Sequence, residues 1–233
     1  MSRTFSANSD HLDCTAVHTT YPYTVSLWAK AGSIAGTQYY FTRGVGGTSD
    51  NFTGIRVSAS QLQAIIRDTT NSSANATPAA PSTGAWELYT ATFRNDTNRA
   101  AFINGANKGT AAVAKTLTAP DALRISGTLL ATPTSFLQSG ALVAHVGLWN
   151  IELADADILN LATKAPNLVQ AANLIEYWPL TGNQSPEPSS GSQATNFTVT
   201  GASYSTDNPI IDLGAAAPIR RKQRIFTTTY YPR

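Results

Sequence analysis

From residue 23 to residue 31 the chain reads Tyr-Thr-Val-Ser-Leu-Trp-Ala-Lys-Ala. In an extended strand this places Val25, Leu27 and Ala29 on one face and Thr24, Ser26, Trp28 and Lys30 on the other. Short segments with this period of two, separated by turn residues, confine the chain to an all-β fold. The pattern returns at 38–44, at 54–58 and 61–67, and at 87–93. It returns again at 100–103, which runs into the hairpin signal Asn104-Gly105. Further strands are predicted at 123–127 and 140–150, where Leu142, Ala144, Val146 and Leu148 alternate with Val143, His145 and Trp149. Residues 69–84, rich in Thr, Ser, Asn, Ala and Pro, are expected to form an exposed low-complexity loop. A single helix is predicted over about 154–164, with Leu153, Ile158, Leu161 and Ala162 at helical spacing. Strands at 174–180 and 196–202 follow.

A chain of 233 residues can close one large sandwich without a staple. Cys14 is the one cysteine, which excludes an internal disulfide and a cysteine-based zinc site. No run approaches the ~20 apolar residues of a membrane span, and the first ten residues lack the apolar core of a secretory signal. Five of the sixteen Lys and Arg residues fall in 214–233, which holds no acid, leaving eleven in the body against fourteen Asp and Glu. The body therefore has no basic nucleic-acid footprint. Two parts are expected: a sandwich over 1–213 and a basic, aromatic C-terminal arm over 214–233.

The order of these motifs resembles the laminin-G-like, concanavalin A-like jelly roll. The resemblance lies in YTVSLWAKA, YYFTRG, GIRVSASQLQAII, STGAWELYTATFRNDTNRAAFINGANKG, LRISG and SGALVAHVGLWNIELADADILNLA. It covers most of residues 3–165 and implies two antiparallel sheets in a sandwich with one short helix. One departure is on the long strand, where the family often has a carboxylate and this chain reads Ala144-His145-Val146. The end segments RTFSANSDHL and YWPLTGNQSPEPSSGSQATNFTVTGASYSTDNP also look like those of laminin-G-like proteins common in bacteriophage genomes. That similarity implies a non-enzymatic virion surface protein, in the capsid or tail, with other virion subunits as partners and self-association open.

The family fold also hosts glucanases, whose active strand carries closely alternating carboxylates. The densest acidic cluster here, Glu152-Leu153-Ala154-Asp155-Ala156-Asp157, has a different spacing and follows the long strand instead of lying on it. Asp155 and Asp157 fit the first turn of a helix, where negative charge meets unsatisfied N–H groups; Ala154 occupies the cap position without a capping side chain. No catalytic residues are assigned, and His11, His18 and His145 show no metal-binding spacing. No cofactor is expected, although some laminin-G-like proteins bind calcium at a loop rim, for which Asp50, Asn51 and Asp121 are the available oxygen donors. For a cell-surface glycan, the loop over 38–52 offers Tyr39 and Tyr40 for stacking and Arg43, Asp50 and Asn51 for hydrogen bonds. Strand alternation would instead turn one tyrosine of the pair inward.

The arm combines Arg220, Arg221, Lys222 and Arg224 with Ile225, Phe226, Tyr230 and Tyr231. Basic and aromatic residues together also suit nucleic acid, but the expectation favoured here is an assembly arm that pairs with acidic surface on a neighbouring subunit. Deleting residues 214–233 should abolish incorporation into particles while leaving the sandwich folded; unchanged incorporation, assayed on purified particles, would refute the anchoring role.

Overall fold

The computed structural model describes residues 1–15, 18–48, 50–68, 73–181 and 184–214. The arm residues Arg220, Arg221, Lys222, Arg224, Ile225, Phe226, Tyr230 and Tyr231 lie outside this set. Two antiparallel sheets face each other. The first is built on β3 (Tyr23–Lys30), β8 (Trp86–Phe93), β9 (Asn98–Ile103), β10 (Ala106–Ala112) and β12 (Ala141–Trp149). The chain ends complete it, with β1 (Ser2–Phe5), β13 (Leu174–Trp178) and β15 (Ser203–Ser205). In the second sheet β14 (Thr198–Thr200), β2 (His11–Thr15), β11 (Ala122–Ile125), β4 (Thr37–Gly44), β5 (Phe52–Ser58), β6 (Gln61–Arg67) and β7 (Ser73–Ala76) lie side by side in that order. We call these sheets A and B.

The core follows from the alternation. Val25, Leu27 and Ala29 of β3 and Tyr89, Ala91 and Phe93 of β8 point at sheet B and are fully buried. Leu62, Ala64 and Ile66 of β6 meet them from the other side. The opposite face of sheet A is covered too: α1 (Asp155–Leu161) packs Ile158 and Leu161 with Trp149, Phe102 and Leu88. The hairpin predicted at Asn104-Gly105 forms with both residues at positive φ, 54° and 75°, as a two-residue turn that matches strand twist requires.

Both ends of the chain cross between the sheets at one corner. After β1 in sheet A, Asp10 accepts hydrogen bonds from the N–H groups of Ser6 and Ala7 at 2.7 and 2.9 Å, and the chain enters β2 in sheet B. Returning from β14 to β15, Gly201 passes directly over that carboxylate at φ 75°. A Cβ at residue 201 would lie 2.1 Å from an Asp10 oxygen. The N-terminal strand is also fastened by charge. Arg3 donates from Nε to Glu187 at 3.0 Å and from Nη2 at 2.5 Å, with both side chains at 3% exposure or less. A buried pair of this kind holds only because each charge has its partner.

Three expectations are corrected. The loop expected over 69–84 contains β7, an edge strand whose pairing with β6 (Ala64 opposite Ala76, Arg67 opposite Ser73) supplies what its weak polar pattern does not. The helix ends at Leu161, short of 164, because the backbone of Thr163 and Ala165 bonds to Asp212 instead. Alternation along β12 breaks at His145, where a bulge at φ 51° turns Val143 and Val146 to the same core. His145 there faces the Tyr177 hydroxyl at 2.7 Å, and burial pushes its imidazole down to about 4.

Gly201→Ala should cost more than about 2 kcal/mol in urea unfolding, since left-handed strain adds to the clash with Asp10. Gly36→Ala, at φ 71° with nothing within 4 Å of its Cβ, should cost only the strain. Equal losses would show that the corner relaxes freely.

Candidate functional site

The 38–52 segment is strand at both ends, and burial decides what its residues can do. Tyr39 is 3% exposed and Tyr40 fully buried, so neither ring can stack on a ligand. A bulge lies between Tyr39 and Phe41, and both Tyr40 and Phe41 enter the core. Tyr40 packs inward against Tyr89, while Tyr39 packs on the outer face of sheet B with Phe52, Ile65 and Leu129. Strand alternation thus buries both, one on each face, because the loop carrying Leu129 covers the outer one. Arg43 is 3% exposed and lies 4.3 Å from the Tyr23 ring centroid, donating to the His18 carbonyl at 2.6 Å. Asp50 meets Arg67 at 2.7 Å. Arg43 and Asn51 do come together, in a rim pocket of about 60 Å³ beside Tyr21, too small for a sugar ring.

Two of the three calcium donors considered are engaged elsewhere. Asp121 accepts from the Gly46 N–H at 2.7 Å and Asp50 faces Arg67. Among the described residues no group of three or more His, Cys, Asp and Glu is placed to hold a metal. The acids of 152–157 also diverge: Glu152 pairs with Arg94 at 2.6 Å, Asp155 with Lys108 at 2.9 Å, and Asp157 accepts from Gln170 at 3.0 Å. Asp155 and Asp157 occupy the first helical turn behind an uncapped Ala154, as the sequence suggests.

A larger recess lies on the outer face of sheet B, where the tip of that same segment, Gly46-Gly47, approaches β2 and β11. It measures about 340 Å³. Asp13 of β2 stands in its wall, directly across from Arg124 of β11 in the strand register. The guanidinium grips the carboxylate with two bonds, Nε to Oδ1 at 2.5 Å and Nη2 to Oδ2 at 2.9 Å. His11, two residues earlier and so on the same face, reaches Oδ2 through Nε2 at 3.2 Å. Leu129, Leu130, Ala131 and Ala122 form an aliphatic wall.

The charges explain one another. Nδ1 of His11 faces the Ser9 carbonyl at 2.6 Å, so both ring nitrogens meet acceptors and the doubly protonated ring satisfies both. The Asp13 hydrogen bond raises the His11 pKa above its ordinary 6.5. Burial alone would raise the Asp13 carboxyl, but hydrogen bonds from His11 and Arg124 outweigh it and hold it below the usual range. The result is an ionised carboxylate fixed in orientation, with 37% of its side chain exposed. The signal for it was present in the sequence as His11-Leu12-Asp13, an outward pair around an inward Leu; what was missing was its partner in a strand more than a hundred residues away.

The model of the concanavalin A-like lectin/glucanases superfamily matches residues 6–159. The chain belongs to this superfamily. No curated protein matches it. Among solved structures, a heptameric SAP-like pentraxin from Limulus polyphemus aligns with a TM-score of 0.56 at 18% identity, over 70% of this chain and 81% of that one. A putative carbohydrate binding protein from Bacteroides ovatus aligns at 0.64 and 12% identity, over 91% of this chain and 61% of that one. The CBM40 of the Ruminococcus gnavus IT-sialidase, solved bound to α2,3 sialyllactose, aligns at 0.51 and 14%, over 62% and 84%. At these identities the likeness to solved structures shows a shared concanavalin A-like fold. The superfamily match ends inside α1; β13, β14 and β15, which complete both sheets, lie outside it.

Because the His11 pKa is raised, its contribution to stability is complete below the unfolded value of 6.5 and is lost as pH rises through the folded one. His145 and His18, with lowered values, act in the opposite sense. The difference between wild-type and His11→Gln stability should therefore shrink between pH of about 6 and about 8, measured by denaturant unfolding. Parallel curves would show that His11 gains nothing from Asp13.

Proposed function

We propose that this chain is a non-catalytic carbohydrate-binding module whose ligand lies in the recess over β2 and β11. The observation that carries the proposal is the Asp13 carboxylate, held by Arg124 and His11 at the edge of an aliphatic wall. An ionised carboxylate accepts hydrogen bonds and donates none, and its free lone pairs suit ligand hydroxyls. Its fixed orientation removes part of the entropy cost of binding. Pockets that hold small polar ligands combine a mostly apolar lining with a few placed polar groups, which describes this recess. The fold it shares with proteins described as carbohydrate-binding supports the same reading.

Binding without cleavage is favoured by the charge count in the recess. Glycoside hydrolysis employs two carboxyl groups, one of them protonated as an acid. Asp13 is the one carboxylate among the described lining residues, and its depressed pKa is the reverse of what a general acid needs. The virion setting suggested by the sequence would give such a module a role in display, with residues 214–233 as its tether.

Titration of the purified chain against a panel of oligosaccharides tests the proposal. A saccharide should bind, and Asp13→Asn should weaken it by at least about tenfold, the worth of a hydrogen bond to a charged group. Glu152→Gln, on the other sheet, should leave binding unchanged. Absence of any saccharide binding, or loss with Glu152→Gln and not with Asp13→Asn, would overturn it.

A further inference from the structure

The recess has an unusual chemistry for a sugar site, and that chemistry narrows its ligand. Sugar rings commonly lay their C–H faces on aromatic side chains, yet among the described residues no aromatic side chain lines this recess. Tyr39 and Phe52 lie beneath it but are buried at 3% and 1% exposure under Leu129. What the recess offers instead is aliphatic: Leu129 at its base, half-buried Leu130 and Ala122, and exposed Ala131.

Its hydrogen-bonding capacity is equally one-sided. The Gly46 N–H is spent on Asp121 at 2.7 Å and the Gly47 N–H on the Leu129 carbonyl at 2.8 Å. The Arg124 guanidinium is spent on Asp13 and on the carbonyls of Thr128 and Leu130. The donors of Gly46, Gly47 and Arg124 are thus engaged, and the carboxylate presented, Asp13, is an acceptor. A matching ligand donates hydroxyl protons at one end and presents a compact saturated apolar group at the other. It carries no carboxylate, which would meet Asp13 charge to charge.

A plain hexose fails the second requirement, since hydroxyl groups project from most of its ring carbons. We propose that the ligand of this recess is a methyl-bearing hexose, in which the methyl of a 6-deoxyhexose or of an N-acetylhexosamine sits on the Leu129–Ala131 wall while ring hydroxyls donate to Asp13. This rests on the carbohydrate-binding reading above and specifies its ligand class.

The test is a titration of the full chain with free sugars. The arms are D-quinovose and D-fucose for the deoxy methyl, N-acetylglucosamine and N-acetylgalactosamine for the acetyl methyl, glucose and galactose as the corresponding hexoses without it, and glucuronate as the acid. At least one methyl-bearing sugar should bind about tenfold or more tightly than the corresponding plain hexose, the scale of discrimination that a small apolar contact gives. The deoxy and acetyl arms show which methyl is read. Glucuronate should bind more weakly than glucose. Leu130→Ser should bring methyl-bearing and plain sugars towards equal affinity, whereas Asp13→Asn should weaken both alike. If plain hexoses bind as tightly as methyl-bearing ones through Asp13, the ligand class is wrong and the binding module stands. If no saccharide binds, both are overturned.

Discussion

The carboxylate of Asp10 holds the place where this chain changes layers. A sandwich needs strands in two sheets, and its chain must turn through the edge with backbone N–H groups that no strand can satisfy. Asp10 satisfies two of them, at Ser6 and Ala7. The returning C-terminal segment then uses the same carboxylate as a floor, which only a glycine at position 201 can approach. The direction in which the chain enters β2 is set there. His11 and Asp13 follow within three residues, so the orientation of the candidate binding group is fixed by the corner that precedes it.

Much of the architecture was legible because burial imposes a period of two. The strands at 23–30, 61–67 and 86–93, the Asn104-Gly105 hairpin and the acid-started helix all follow from local chemistry. The failures have local causes as well. A bulge adds one residue and cancels the alternation beyond it, which is why Ala144-His145-Val146 misled; Tyr39 misled because the loop carrying Leu129 covers its face. β7 takes its order from β6 and carries little of its own. The candidate recess was half legible: the loop containing Gly46-Gly47 borders it, but Tyr39 and Tyr40 are buried, Asp50 pairs with Arg67, and Arg43 and Asn51 line a different pocket. Asp13 becomes meaningful only when β11 brings Arg124 opposite, a pairing no local pattern announces.

Carboxylates in this chain are largely engaged in closure. Glu187 neutralises Arg3 inside the fold, and Glu176 accepts from the Thr195 N–H at 2.9 Å and from Ser189. Asp207 gathers Lys30 at 2.7 Å and Trp86 at 2.8 Å. Glu187 and Asp207 join the C-terminal residues to β1 and to strands within the superfamily match, while Glu176 ties the C-terminal segment to itself. That segment is thereby fastened by charge and hydrogen bonding as well as by apolar packing. Asp13 differs in having its partners on one side and an open recess on the other.

The segment following β15 runs across the outside of sheet A, pinned at Asp207 and again where Asp212 bonds to Thr163 and Ala165, and Gly214 ends beside Leu168. The recess opens on the outside of sheet B. The described chain therefore has a back and a front, with Gly214 on the side opposite the recess. If a module of this shape were fastened to a surface by that end, as proposed above, its recess would face outward.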